Sequence, residues 1–265
     1  LLAQDQARPT CRSAYLAMAF PTMVLLPGMD GTAWRFQALK AALWPASCEW
    51  IGYPRDEALG YDDLVPFVLD RLPTSGDFVL VGESFSGPLA LRVAARRPLG
   101  LVGVALAASF VTPPLPLFSA LAAPAARWLS RLVAFAGPLL FARPPSRPLL
   151  RLLLAGWDAS DVMVAELHYS IAAVAPKVMT KRMLEILQAD ARQELLELDV
   201  PIVYLQASAD RLVRPCAFRQ VVALRPDAHL ARVSGPHLLL ERSPVACAEA
   251  LRSWSGDALL GRQEK

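Results

Sequence analysis

The chain is short of the residues that build metal centres and disulfide scaffolds. Its four cysteines, Cys11, Cys48, Cys216 and Cys247, are scattered with no C-x-x-C pair. That pattern excludes a zinc knuckle and a compact disulfide framework, and it reads as reduced thiols in a cytoplasmic protein. Only three histidines occur, and no cluster of ligand-type residues calls for a metal or redox cofactor, so none is expected. Charged residues make up 19% of the chain and the net charge is +3. Because Lys and Arg are not interleaved with aromatics, no nucleic-acid groove is expected. Arg or Pro breaks every apolar run before it reaches the roughly 18 residues of a membrane span, so stable membrane insertion is not expected either.

Apolar surface is what the chain has in excess. Hydrophobic residues reach 54%, above the roughly 45–50% of ordinary domains, and the surplus needs a large core or a greasy binding surface. The length of 265 residues suits one large α/β domain. Nothing in the sequence specifies an oligomeric state. Before Thr22 there is no periodic pattern, so residues 1–21 are expected to be a non-structural or irregular segment, with Met18 the natural start.

Short apolar runs bounded by turn residues recur as "TMVLL" (22–26), "CEWIGY" (48–53), "DFVLV" (77–81), "LVGVALA" (101–107), "VPIVYLQ" (200–206) and "AHLARV" (228–233). They read as strands buried on both faces. Helical patterns fall at 32–43, 60–72, 85–97, 214–224 and 243–254. The alternation predicts right-handed crossovers and a mostly parallel sheet of about six strands flanked by helices. It breaks over residues 112–198, where proline-rich stretches separate amphipathic helical patterns such as "AARWLSRLVAFA". The expected organisation is therefore a core built from 22–111 and 199–256 with a helical cap inserted at 112–198.

Between the third strand and the following helix stands "GESFSG", residues 82–87, close to G-x-S-x-G with Ser86 in the last small position. Residues two before and two after the nucleophile face each other across a sharp turn, where only small side chains fit. Gly82 and Ser86 satisfy that for Ser84. Ser86 itself fails the test, because its own flanking positions hold Ser84 and Pro88. A serine hydroxyl needs a base to take its proton and usually a carboxylate to orient that base. His229 lies inside a strand pattern and His168 inside the insertion. His237 follows the last strand in the turn "SGPH", at the edge where open parallel sheets bind ligands. Asp210 follows the strand 200–206, whereas Asp199 and Asp227 precede their strands and so lie at the wrong end of the sheet.

Ser84, Asp210 and His237 thus occur in the order Ser, Asp, His, each after a strand. On these motifs the chain resembles serine hydrolases of the α/β-hydrolase superfamily from about Thr22 to Trp254. The resemblance implies the α/β-hydrolase fold with a helical cap, and an oxyanion hole made by the backbone N–H groups of Phe85 and of Met29 in "VLLPGMDGTAW". Many relatives carry His-Gly where this chain has Pro27-Gly28, which leaves the bracing of that loop unaccounted for. Superfamily members with Asp as nucleophile are set aside by Ser84, and Lys177 or Lys181 is read as a surface residue rather than a lyase lysine. The expected activity is hydrolysis of carboxylic esters bearing hydrophobic acyl or aromatic groups through an acyl-serine. Thioester or lactone hydrolysis, acyl transfer, or ligand binding without turnover remain as alternatives on the same residues. The expected partner is a small hydrophobic ester. Trp34 and Trp157 are the candidate substrate-binding side chains, and Trp128, Phe135 and Phe141 add to the greasy character of the insertion.

Overall fold

The computed structural model describes residues 20–114 and 123–263, without the side chains of 123–127 and 257–263. The reading of residues 1–21 therefore lies almost wholly outside the described residues. Six strands form one sheet: β1 (Thr22–Leu26), β2 (Cys48–Trp50), β3 (Phe78–Glu83), β4 (Leu101–Ala107), β5 (Ile202–Ala207) and β6 (His229–Val233). Their order is β2-β1-β3-β4-β5-β6 and every pairing is parallel. β3 and β4 are buried along their whole lengths, as apolar runs without alternation require when helices cover both faces.

The flanking helices are α1 (Gln37–Leu43), α2 (Tyr61–Leu69), α3 (Ser86–Ala94), α9 (Cys216–Leu224), α10 (Leu239–Arg242) and α11 (Pro244–Gln263). Between β4 and β5 the described residues are helical: α4 (Ala123–Leu140), α5 (Arg147–Leu150) running into a π turn over Arg151–Ala155, α6 (Asp161–Ala172), α7 (Pro176–Leu187) and α8 (Arg192–Leu196). Two core layers sandwich the sheet. One joins Leu26, Leu80 and Leu106 to Tyr61 and Leu89, and the other joins Leu25, Val81 and Val203 to Leu39 and Leu251.

Departures from the sequence reading include β2 and the last helix. β2 ends at Trp50 rather than Tyr53, because it is the edge strand. The chain beyond it turns inward, with Ile51 N–H donating to Leu25 O and Tyr53 N–H to Gly31 O. The last helix runs on to Gln263 through Gly256, a residue that costs a helix only about 1 kcal/mol relative to alanine.

Candidate active site

Ser84 stands between β3 and α3 with φ at +50°, a left-handed conformation unusual for a residue with a side chain. This strained turn lifts the hydroxyl off the C-terminal edge of the sheet. Its sharpness explains Gly82: a Cβ there would lie 2.5 Å from Ser86 O. Ser84 N–H is tied to Ala107 O at 2.9 Å, and Ser84 Oγ lies 2.8 Å from His237 Nε2. His237 is buried, and its Nδ1 lies 2.9 Å from Asp210 Oδ2. Asp210 Oδ1 accepts the N–H groups of Leu212 and Val213, both at 2.8 Å. One carboxylate oxygen therefore caps the turn while the other faces the imidazole. With Nδ1–H donating to Asp210, Nε2 is left to accept from the serine.

The two candidate oxyanion donors are held by the opposite ends of their peptide planes. Because a trans peptide is planar with N–H and C=O pointing opposite ways, fixing the carbonyl aims the N–H. The carbonyl paired with Phe85 N–H is Ser84 O, which accepts from Ser109 Oγ at 2.5 Å and Gly87 N–H at 3.2 Å. The carbonyl paired with Met29 N–H is Gly28 O, which accepts Gly31 N–H at 2.9 Å. Neither candidate N–H is used by another hydrogen bond among the described residues.

The loop that carries Met29 has braces that the sequence reading did not find. Tyr53 Oη donates to Ser86 Oγ at 2.6 Å, and Ser86 in turn donates to Pro27 O. Ser86 is thus more than a small residue at a tight turn. Arg182, fully buried on α7, donates to Met29 O at 2.9 Å and to Pro54 O at 2.7 Å. Gly31, with φ at +71°, makes room for it, since a Cβ there would sit 2.8 Å from the Arg182 guanidinium. Arg182 therefore links the helical insertion to the loop beside Ser84. No local motif marks an arginine that acts through carbonyls 153 and 128 residues away in the chain.

Above Ser84 and His237 opens a cavity of about 180 Å³. Phe110, Leu212, Val213 and Leu238 line it from the sheet edge, and Leu154, Leu167, Ile171, Met179, Met183 and Ile186 from the insertion. Trp34 and Trp157, the candidate substrate-binding side chains, are not among its described lining residues. Trp34 is 39% exposed. Trp157 is 61% exposed and borders a separate surface depression with Arg151 and Pro236. A bulky residue next to a glycine turn was the only signal for Trp157, and such a residue fits an outward-facing loop equally well. Trp128 and Phe135 are exposed, while Phe141 packs against the small cluster of Val174, Val178 and Met179. His229 is exposed on β6, Lys177 is exposed, and Lys181 pairs with Glu185 at 2.6 Å.

The sequence profile of the alpha/beta hydrolase family matches residues 23–250. The chain belongs to that family. Among solved structures, the fold of this alpha/beta hydrolase is similar to bromoperoxidase from Bacillus anthracis, at 18% identity and a TM-score of 0.70 over 89% of this chain and 91% of that one. It is similar as well to a thermophilic esterase from Thermogutta terrifontis, at 17% identity and a TM-score of 0.69 over 88% and 89%. A third is the enol-lactonase from Burkholderia xenovorans, at 17% identity and a TM-score of 0.65 over 89% and 91%. No curated protein sequence matches the chain.

This alpha/beta hydrolase also buries a charge cluster against the Ser84 turn. Arg35 contacts Asp30 at 3.2 Å and Glu241 at 2.9 Å, all three nearly removed from solvent, and donates to Ser170 Oγ at 3.1 Å. Glu83, the residue before Ser84, is fully buried beside them. Burial first, and then the neighbouring Glu241 and Asp30 charges, push its carboxyl up to about 8 against the pull of Arg35. Burial likewise lifts Glu241 to about 7, with Arg35 opposing. Three carboxyl groups around one guanidinium cannot all ionise cheaply, which favours the protonated form of Glu83.

Proposed function

We propose that this chain is a serine esterase acting on small carboxylic esters with an apolar acyl group. The observation that carries the reading is the pair of contacts from Ser84 Oγ to His237 Nε2 at 2.8 Å and from His237 Nδ1 to Asp210 Oδ2 at 2.9 Å, at the floor of an apolar cavity. Ser84 Oγ attacks the ester carbonyl carbon while His237 Nε2 takes its proton. The carbonyl oxygen gains negative charge and is met by the N–H groups of Met29 and Phe85. Collapse expels the alcohol, which receives the proton from His237, and leaves an acyl-Ser84. Water then attacks the acyl carbon, giving its proton to His237, and release of the carboxylic acid returns that proton to Ser84. Asp210 holds the imidazole in the required tautomer throughout.

The cavity supports the choice of substrate class. A dry apolar cavity of roughly 150 Å³ accepts benzene, so a space of about 180 Å³ suits a benzoyl-sized group or a short aliphatic chain. An esterase and an enol-lactonase share this fold, and both leaving groups are compatible with the same acyl-enzyme. The test is pre-steady-state turnover of p-nitrophenyl butyrate and benzoate. Wild-type protein should release a burst of nitrophenol matching the enzyme concentration, and Ser84→Ala should release none. A Ser84→Ala protein that kept a tenth of the steady-state rate would remove Ser84 from this role.

A further inference from the structure

Helix α4 presents a face that nothing among the described residues covers. Trp128, Leu132, Phe135 and Leu139 recur at spacings of four, three and four residues, so they fall within about 60° of the helix circumference. Their exposures are 65%, 43%, 89% and 81%. The opposite face is firmly seated: Gly137 is buried against α7, where a Cβ would lie 2.5 Å from Thr180 Cγ2. Turning the stripe inward would require breaking that packing. An apolar stripe of this length on a rooted helix is the signature of a surface with an external partner.

Charge decides what kind of partner. Residues 112–157 contain five arginines and no Asp or Glu. Arg151 pairs with Asp161, whereas Arg131, Arg143 and Arg147 are exposed and make no ion pair among the described residues. A second copy meeting this face across a two-fold axis would set arginines against arginines with no acid in the segment to answer them. An anionic lipid surface offers both things the face lacks, an apolar layer for the stripe and phosphates for the cations. No single helix among the described residues is long and apolar enough to cross a membrane, so the fit is to a helix lying in the interface.

We propose that the α4 face docks the chain reversibly on anionic lipid bilayers, with Trp128, Phe135 and Leu139 in the acyl boundary and the arginines at the level of the phosphates. This proposal stands apart from the esterase reading, because no described α4 side chain lines the cavity. The full chain should co-sediment with vesicles of phosphatidylcholine and phosphatidylserine much more than with phosphatidylcholine alone. Binding should collapse at about 1 M salt, where the Debye length is roughly 3 Å. Replacing Phe135 and Leu139 by Ser should lower the partition coefficient at least about tenfold, and reversing Arg131 and Arg147 to Glu should lower it about fivefold or more per residue. Thermal unfolding should be unchanged in both variants, since the altered side chains face outward. The proposal is overturned if wild-type protein stays in solution with anionic vesicles, or if neither pair of substitutions weakens sedimentation. A lipid-free dimer in sedimentation velocity that the Phe135 and Leu139 changes dissociate would also overturn it, and would assign the face to a second copy.

Discussion

Glu83 is a carboxyl group kept from water one residue before the Ser84 hydroxyl, and its burial makes a testable statement about pH. Its value moves from the ordinary 4.5 up to about 8 in the fold. Between those limits the unfolded chain has released the proton while the native chain keeps it, so the native state binds more protons and stability falls as pH rises through that window. Glu83→Gln imitates the protonated acid without titrating. The melting temperature of the Gln variant should gain on wild type from about pH 5 to pH 8 and then level off. A gap that stays constant with pH would mean that Glu83 ionises normally. Ser86 makes a second residue-scale prediction. Removing its hydroxyl by Ser86→Ala leaves Pro27 O and the Tyr53 hydroxyl without buried partners, each loss worth about 1–3 kcal/mol. It also loosens the loop that aims Met29 N–H. Losing an oxyanion donor outright costs about 10²–10³ in kcat, so loosening one should cost roughly tenfold in kcat with KM little changed. An unaltered kcat in steady-state kinetics would contradict this. At this scale Gly82, Ser84, Asp210 and His237 were legible because each sits within a few residues of a strand end. Ser86 showed only its size, since the hydroxyl's partners, Pro27 and Tyr53, lie elsewhere in the sequence.

Among the elements, α7 is the one that joins the insertion to the sheet edge. Arg182 ties it to Met29 O and Pro54 O, and Ala175 N–H, just before the helix, bonds Arg55 O at 2.8 Å. This supplies the bracing that Pro27-Gly28 left open. The insertion does more than cover the site. Arg182→Met should lower kcat about tenfold or more and lower the melting temperature, because two buried carbonyls lose their donor. Arg182→Lys, which offers no planar fork to serve both carbonyls, should fall between Met and wild type. Equal kcat in all three proteins would reduce Arg182 to a packing residue. The strands were readable as apolar runs and the helices as periodic patterns. The end of β2 and the extension of α11 were not, because an edge strand stops where its neighbour's hydrogen bonds stop, and one glycine does not end a packed helix.

For the whole molecule, the cavity lies between two layers that come from separate parts of the chain. The sheet edge contributes Ser84, His237 and the loop carrying Met29, while α6 and α7 contribute Leu167, Ile171, Met183 and Ile186 to the walls. Neither layer bounds the space alone, which is why the sequence pointed to the exposed Trp157 instead of these aliphatic side chains. Met183→Ala should move the preference among p-nitrophenyl esters toward larger acyl groups, by about 10- to 200-fold per methylene-sized change. An unchanged chain-length profile would place the acyl site elsewhere. The proposed activation of Ser84 by His237 and Asp210 is tested most directly by intact-mass and peptide mass spectrometry after treatment with a small fluorophosphonate. One adduct per chain is expected, located on Ser84, and none in His237→Ala over the same time. Labelling that falls on another residue, or that proceeds at the wild-type rate without His237, would contradict it.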